Sequence, residues 1–341
     1  MALSRTTSKW WVLGETTAII DWCEENYVVS KYVAEWSNTI SNSMFLLTAA
    51  YSTYCAYRNG LERRFILIGL GFALVGVGSW LFHMTLKFRF QLLDELPMVY
   101  ATAIPAWSVF CEFNWSTYRY HTEKVSPKKQ LWMFFGIMSF VTALTYVYIK
   151  YRIVLLFQFL YGLLTIAVVA ISTSFAYFME AKDPMVKKNL CATMGLGIVL
   201  FSVGFVFWEM DQLFCPFWIH IRREYLALPL GVLLEMHGWW HLLTGMGVYT
   251  YLVALQYLRA LTLGVDKDFT FIWRWGVIPE IIRNDLAITT KYSLEFWGPY
   301  ISEGDNHTQE SLPSTNRDVS VAQTADPMTG GKVVQTGQVQ G

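Results

Sequence analysis

Charge is what this sequence has least of: Asp, Glu, Lys and Arg make up 15% of its 341 residues, against about 25% in an average soluble domain. The 26 basic and 26 acidic residues cancel, so no global field exists to recruit nucleic acid or an acidic partner. The five cysteines form no CxxC pair, which argues against a thiolate zinc cluster or a dense disulfide framework. The first thirty-odd residues are mixed and acidic (Glu15, Asp21, Glu24, Glu25), with no basic start leading into an apolar run. A cleavable signal peptide is therefore not expected, and the first hydrophobic span is expected to act as its own insertion signal.

What is abundant is apolar side chain, 54% of the chain, with 17% aromatics. A spanning helix needs roughly 20 apolar residues to cross about 30 Å of hydrocarbon. Seven stretches qualify, near 38–57, 65–84, 92–113, 131–149, 153–178, 190–210 and 228–258. The expected fold class is an all-α integral membrane protein with seven transmembrane helices. The first span is the weakest, because Asn38, Ser41, Asn42, Ser43 and Thr48 make its first half polar. Such groups should face the bundle interior. Lys and Arg are richer in the loops after spans one, three and five, for example Arg58, Arg63, Arg64, Lys128, Lys129, Lys187 and Lys188. The positive-inside rule then puts the N-terminus in the lumen and the C-terminus in the cytosol.

Four segments follow from this: a lumenal N-terminal segment (1–37), a seven-helix membrane domain (38–260), an interfacial or cytosolic segment (261–302) rich in Trp and Ile around Phe269–Trp275 and Trp297, and a tail (303–341). The tail is rich in Ser, Thr, Gln and Gly and has too few large apolar groups to fold, so it is expected to be disordered.

The chemistry-bearing residues are few. Ser79 and His83 stand four apart at the end of span two and share a helical face. A tight turn brings Asp94, at the start of span three, back to the same depth. Span seven supplies His237 and His241, again at i and i+4, a spacing that lets two imidazoles close on one ion. The alternation of spans puts His83, His237 and His241 on the same half of the membrane. A lone intramembrane histidine is as often an interhelical hydrogen-bonder, and HxxxH alone is a weak signal; three converging beside a carboxylate favour Zn²⁺ with an open fourth position. Asp94 is then a candidate proton acceptor and donor, or else a group that orients a ligand histidine. Ser79 is a candidate oxyanion donor, or else helix-packing glue beside Gly76 and Gly78.

Before the first span, Asp21, Glu24, Glu25, Asn26 and Glu35 offer hard oxygen donors of the kind Ca²⁺ takes. The spacing is not that of an EF-hand, and a solvated acidic turn is the default reading. Trp239 and Trp240 read as an apolar wall or as ordinary interfacial tryptophans, and Glu209 and Asp211 as interfacial groups. Cys23 and Cys215 both fall on the lumenal side, where oxidation is permitted, which makes them a candidate disulfide; the sequence does not give their distance.

In these residues the chain resembles the alkaline ceramidases, part of a superfamily of seven-helix hydrolases that includes the adiponectin and progestin receptors. The resemblance lies in several motifs in order: Ile20–Tyr27, Ala34-Glu35 with Asn38–Asn42, Gly78-Ser79 with Phe82–Leu86, Gln91–Met98, and His237–Gly245. It spans about residues 10 to 260. It implies zinc on His83, His237 and His241, catalytic roles for Ser79 and Asp94, and calcium on Asp21, Glu24, Asn26, Glu35 and the main-chain carbonyl of Trp22. The implied substrate is ceramide, cleaved to a sphingoid base and a fatty acid, with the reverse condensation in some members. The implied address is the endoplasmic reticulum membrane, with the Golgi as alternative. A rival from another class is a seven-helix, lipid-responsive receptor with structural zinc, which shares the histidines. A proton-coupled transporter ranks below both for want of inverted repeats or broken helices in matching halves.

Overall fold

The structure is a computed structural model that describes residues 14–114, 119–120, 126–179, 183–226, 228–262 and 266–284. The expected disordered tail and Trp297 lie outside the described residues. Helices dominate: α1 (Trp36–Ser41), α2 (Ser43–Arg58), α3 (Arg63–Thr85), α4 (Phe88–Glu112), α5 (Pro127–Tyr151), α6 (Val154–Phe178), α7 (Pro184–Leu213), α8 (Cys215–Glu224) and α9 (Met236–Thr262). Two antiparallel ribbons complete the described chain, β1 (Phe113–Asn114) with β2 (Arg119–Tyr120), and β3 (Phe269–Arg274) with β4 (Ile278–Arg283).

Long apolar runs bounded by breakers explain these helices. Pro127 and Pro184 open α5 and α7, where a missing N–H costs nothing, and the Asp183 carboxylate caps α7 by accepting from Met185 N at 2.8 Å. Four helices, α3, α5, α6 and α7, are long and apolar enough to cross a membrane, which makes this a multi-pass membrane protein. Their outer faces leave Trp132, Leu155, Phe159 and Ile166 exposed, as lipid-facing surfaces do. The other three expected spans correspond to α2, α4 and α9.

Two of the expected spans change shape. The first is broken into α1 and α2 at Asn42, whose side-chain amide donates to Asn38 O at 2.8 Å. The last begins at Met236 rather than near 228. Residues Leu230–Leu234 form a 3₁₀ turn instead, behind Pro229 and around Gly231, which are poor continuers of an α-helix. The expected inward orientation of the polar half of span one holds, since Asn38 and Asn42 are fully buried.

Close approach of α3 to α4 depends on Gly78. A Cβ there would collide with the Leu93 carbonyl and come within 2.7 Å of Asp94 N, so glycine lets the two helices touch where Ser79 and Asp94 sit. The N-terminal segment satisfies carbonyls left open at the end of α3: Thr17 N and Ala18 N donate to Leu86 O, Ala34 N to Met84 O and Glu35 N to His83 O, each at 3.0 Å. This stitching delivers Glu35 to His83.

The segment expected to be interfacial folds in part as the β3–β4 hairpin, turned through Trp275–Val277 with Gly276 at φ +76°. It packs against α2 and α9. Asn59 pairs with it like a strand, donating to Ile281 O at 2.9 Å and accepting from Arg283 N at 2.8 Å. Buried Glu280 accepts from Tyr51 Oη at 2.9 Å and pairs with Arg274 at 2.6 Å.

Candidate active site

His83 at the end of α3 and His237 and His241 on the first turns of α9 meet in the bundle, all at most 3% exposed. Their candidate ligand nitrogens lie within 4.8 Å of one another. Ring centroids are 5.1 Å apart for His83 and His237, 4.9 Å for His83 and His241, and 4.5 Å for His237 and His241.

Hydrogen bonds around the rings set their orientation. Glu35 Oε2 accepts from His83 Nδ1 at 2.5 Å, and His83 Nε2 is left buried without a partner. Ser41 Oγ donates to Asn38 O at 3.0 Å, so the contact at 2.8 Å with His241 Nδ1 is one in which the ring donates. The ring of His237 stacks on Trp22 at 3.6 Å between centroids, and its Nδ1 is buried without a partner. Neutral imidazoles with orphaned nitrogens turned together, each held by a neighbour, are the donor set a structural or catalytic Zn²⁺ takes.

Ser79 is buried one turn before His83, next to Gly78, where α3 touches α4 at Asp94. Ser79, Asp94, His237 and His241 line one cavity of about 310 Å³. A second, apolar cavity of about 560 Å³ adjoins it, with Phe72, Tyr161, Thr165 and Phe201 lining both. All five residues expected at the zinc and catalytic positions are therefore brought together.

The acidic segment is arranged differently. Glu24 is buried and accepts from Ser37 N at 2.6 Å and Asn38 N at 2.8 Å; burial first, then the nearby charge of Glu35, raises its pKa to about 7. Burial and then the charge of Asp21 hold Glu35 well above the usual carboxylate range. Asn26 Oδ1 is buried with no hydrogen-bond partner. Among the described residues these side chains do not converge as tightly as the histidines. Carboxylates that raise one another's pKa beside an orphaned amide oxygen nevertheless fit a cation.

Several contributors escaped the sequence reading. Asp211, expected at the interface, is 1% exposed; it accepts from Cys23 N at 2.8 Å and His237 N at 3.3 Å, tying α7 to both the N-terminal segment and α9. It is buried because both of those donors need an acceptor. Arg222 on α8 donates to Cys23 O at 2.8 Å and Glu235 at 2.7 Å. Glu235, raised to about 9 chiefly by burial against the opposing effect of Arg222, closes that bracket. The bridge that the sequence left open between Cys23 and Cys215 is formed, with Cα atoms 5.2 Å apart, and is the exception among these contributors. Nothing in local sequence spacing signals these contacts, which join residues as far as 199 positions apart.

Residues 14–282 match the family described as Ceramidase. The chain is 53% identical over 293 residues to alkaline ceramidase YPC1 of Saccharomyces cerevisiae, covering 86% of this chain and 92% of the relative. It is 34% identical over 273 residues to alkaline ceramidase 3 of Mus musculus (79% and 93% covered) and 26% identical over 274 residues to an alkaline ceramidase of Arabidopsis thaliana (80% and 95% covered).

Proposed function

The chain belongs to the ceramidase family, and from that premise we propose that it is a zinc-dependent amidohydrolase that cleaves the amide bond of ceramide. The observation that carries this reading is a cluster of three buried histidines, two of which line one cavity with Ser79 and Asp94. In this reading His83, His237 and His241 hold Zn²⁺, which when bound polarises a carbonyl and lowers the pKa of a water. Asp94 takes the proton of the attacking water and returns it to the departing amine. Ser79 turns its hydroxyl toward the developing oxyanion. Glu35 and Ser41 fix the rings of His83 and His241.

Calcium on Asp21, Glu24, Asn26, Glu35 and the Trp22 carbonyl is part of the same proposal. Its role is to hold the acidic segment folded against α3, with Glu35 shared between the two metal sites. The adjoining apolar cavity suits a hydrocarbon chain, and a substrate that stays in the bilayer avoids extraction at about 0.8 kcal/mol per methylene.

The seven-span topology with lumenal N-terminus, residence in the endoplasmic reticulum or Golgi, and reverse condensation complete the proposal. The test is fatty-acid release from ceramide by detergent-purified protein, beside Asp94→Asn. Release by the wild type alone, at equal zinc, supports the hydrolase; zinc bound without release favours a receptor.

A further inference from the structure

Glu95 and Gln158 line the cavity of the reaction centre and take no part in the chemistry above. Glu95 follows Asp94 on α4 but turns to another neighbour, α5. Its Oε2 accepts from Tyr148 Oη and from Gln91 Nε2 at 3.3 Å. Gln91 is spent on that network, since it also donates to Tyr148 Oη at 3.0 Å and accepts from Ile19 N at 2.9 Å. Glu95 is 8% exposed and lines the 310 Å³ cavity, and among the described residues its Oε1 accepts no hydrogen bond. Gln158 on α6 lines the same cavity, and its amide likewise has no hydrogen bond among the described residues. Their helices are linked through α5: the Tyr148 ring, whose hydroxyl holds Glu95, stacks at 4.5 Å on Phe157, the residue before Gln158.

An acceptor left without a donor on the wall of a largely apolar cavity is costly unless a ligand supplies one. A glutamine amide lining the same cavity offers both donors and an acceptor. A hydrocarbon chain can use neither, and it has the adjoining apolar cavity to occupy. Resting on the hydrolase reading above, we propose that Glu95 and Gln158 form a hydroxyl-recognition subsite that grips the hydroxyl-bearing half of the amide substrate. Glu95 Oε1 accepts from a substrate hydroxyl, and Gln158 pairs with the same or a neighbouring one. This fixes which side of the scissile amide faces α4 and α6 and leaves the acyl chain to the apolar cavity. Tyr148 and Gln91 are positioning residues, since they hold Glu95 without reaching the cavity's substrate space.

The test uses full-length protein in detergent and two amides with the same acyl chain: a ceramide, and its analogue lacking the 1-hydroxyl on the sphingoid base, with a 3-deoxy analogue run alongside. kcat/KM is measured for each, with zinc content. Wild type is expected to favour the hydroxylated amide over at least one deoxy analogue by about 10- to 100-fold, the worth of a hydrogen bond to a charged group. In Glu95→Gln and Gln158→Leu that preference should shrink several-fold, through a higher KM for the hydroxylated amide, with the deoxy analogue affected less and zinc content retained. Gln158 is only partly buried, so its variant reports even if Glu95→Gln folds poorly. Equal loss on all substrates in both variants, or an unchanged preference, overturns the subsite while leaving the hydrolase reading in place. A zinc-loaded wild type that cleaves none of the amides overturns that reading and the subsite with it.

Discussion

At the scale of single residues, the account separates groups that bind metal from groups that move protons. Replacing His237 with Ala removes a ligand and should abolish both zinc content and activity. Asp94→Asn keeps shape and should keep zinc but lower turnover by about 10²- to 10⁴-fold, the usual contribution of a positioned acid–base; equal activity in wild type and variant would refute the role. Glu35→Gln and Ser41→Ala act through a ring rather than on the substrate. Each should weaken zinc affinity by about 10- to 100-fold, read by competition with a chelator. Ser79, His83, Asp94, His237 and His241 were legible in the sequence because helical spacing and one tight turn align them. Ser41, Glu35 and Asp211 were not recognised as partners of the histidines: these contacts join residues 200, 48 and 26 positions apart, and only packing decides them.

Elements matter where they are forced together. At Gly78 the backbone of α3 approaches that of α4 too closely for any side chain. Gly78→Ala must push the helices apart beneath Ser79 and Asp94, with an expected loss of about 1–3 kcal/mol and a larger fall in activity than in zinc content. Thermal denaturation in detergent and single-site activity measure the two effects. The disulfide between Cys23 and Cys215 anchors α8 to the segment whose Trp22 stacks on His237. Reductant, or Cys215→Ser, should lower the thermal midpoint and hasten zinc loss. Helix periodicity foretold α3 to α7 well, because an apolar run of that length has few other folds open to it. The β3–β4 hairpin went unforeseen: its strands Phe269–Arg274 and Ile278–Arg283 are six residues each, and their burial comes from Asn59, Tyr51 and Tyr249 rather than from their own pattern.

For the whole molecule, the polarity of α4 and α9 has one cause. These helices carry Asp94, Glu95, His237 and His241, which dilute their apolar content, while α5 and α6 present apolar outer faces. Composition thus signalled a membrane protein at once, although the apolar α3 also carries Ser79 and His83. The proposed topology predicts that a cysteine placed at Lys128 is labelled by an impermeant reagent from the cytosol, and one placed at Glu25 only after the membrane is opened. Calcium chelation should lower the thermal midpoint before it lowers activity, since the acidic segment supports Glu35 rather than touching substrate.

The central claim is that the buried histidines and the Ser79–Asp94 pair form one amide-cleaving site. Its most direct test is release of fatty acid from ceramide by purified wild type and Asp94→Asn, with zinc quantified in both. The account predicts release by the wild type, little by the variant and equal zinc; equal release from both, or none from a zinc-loaded wild type, would contradict it.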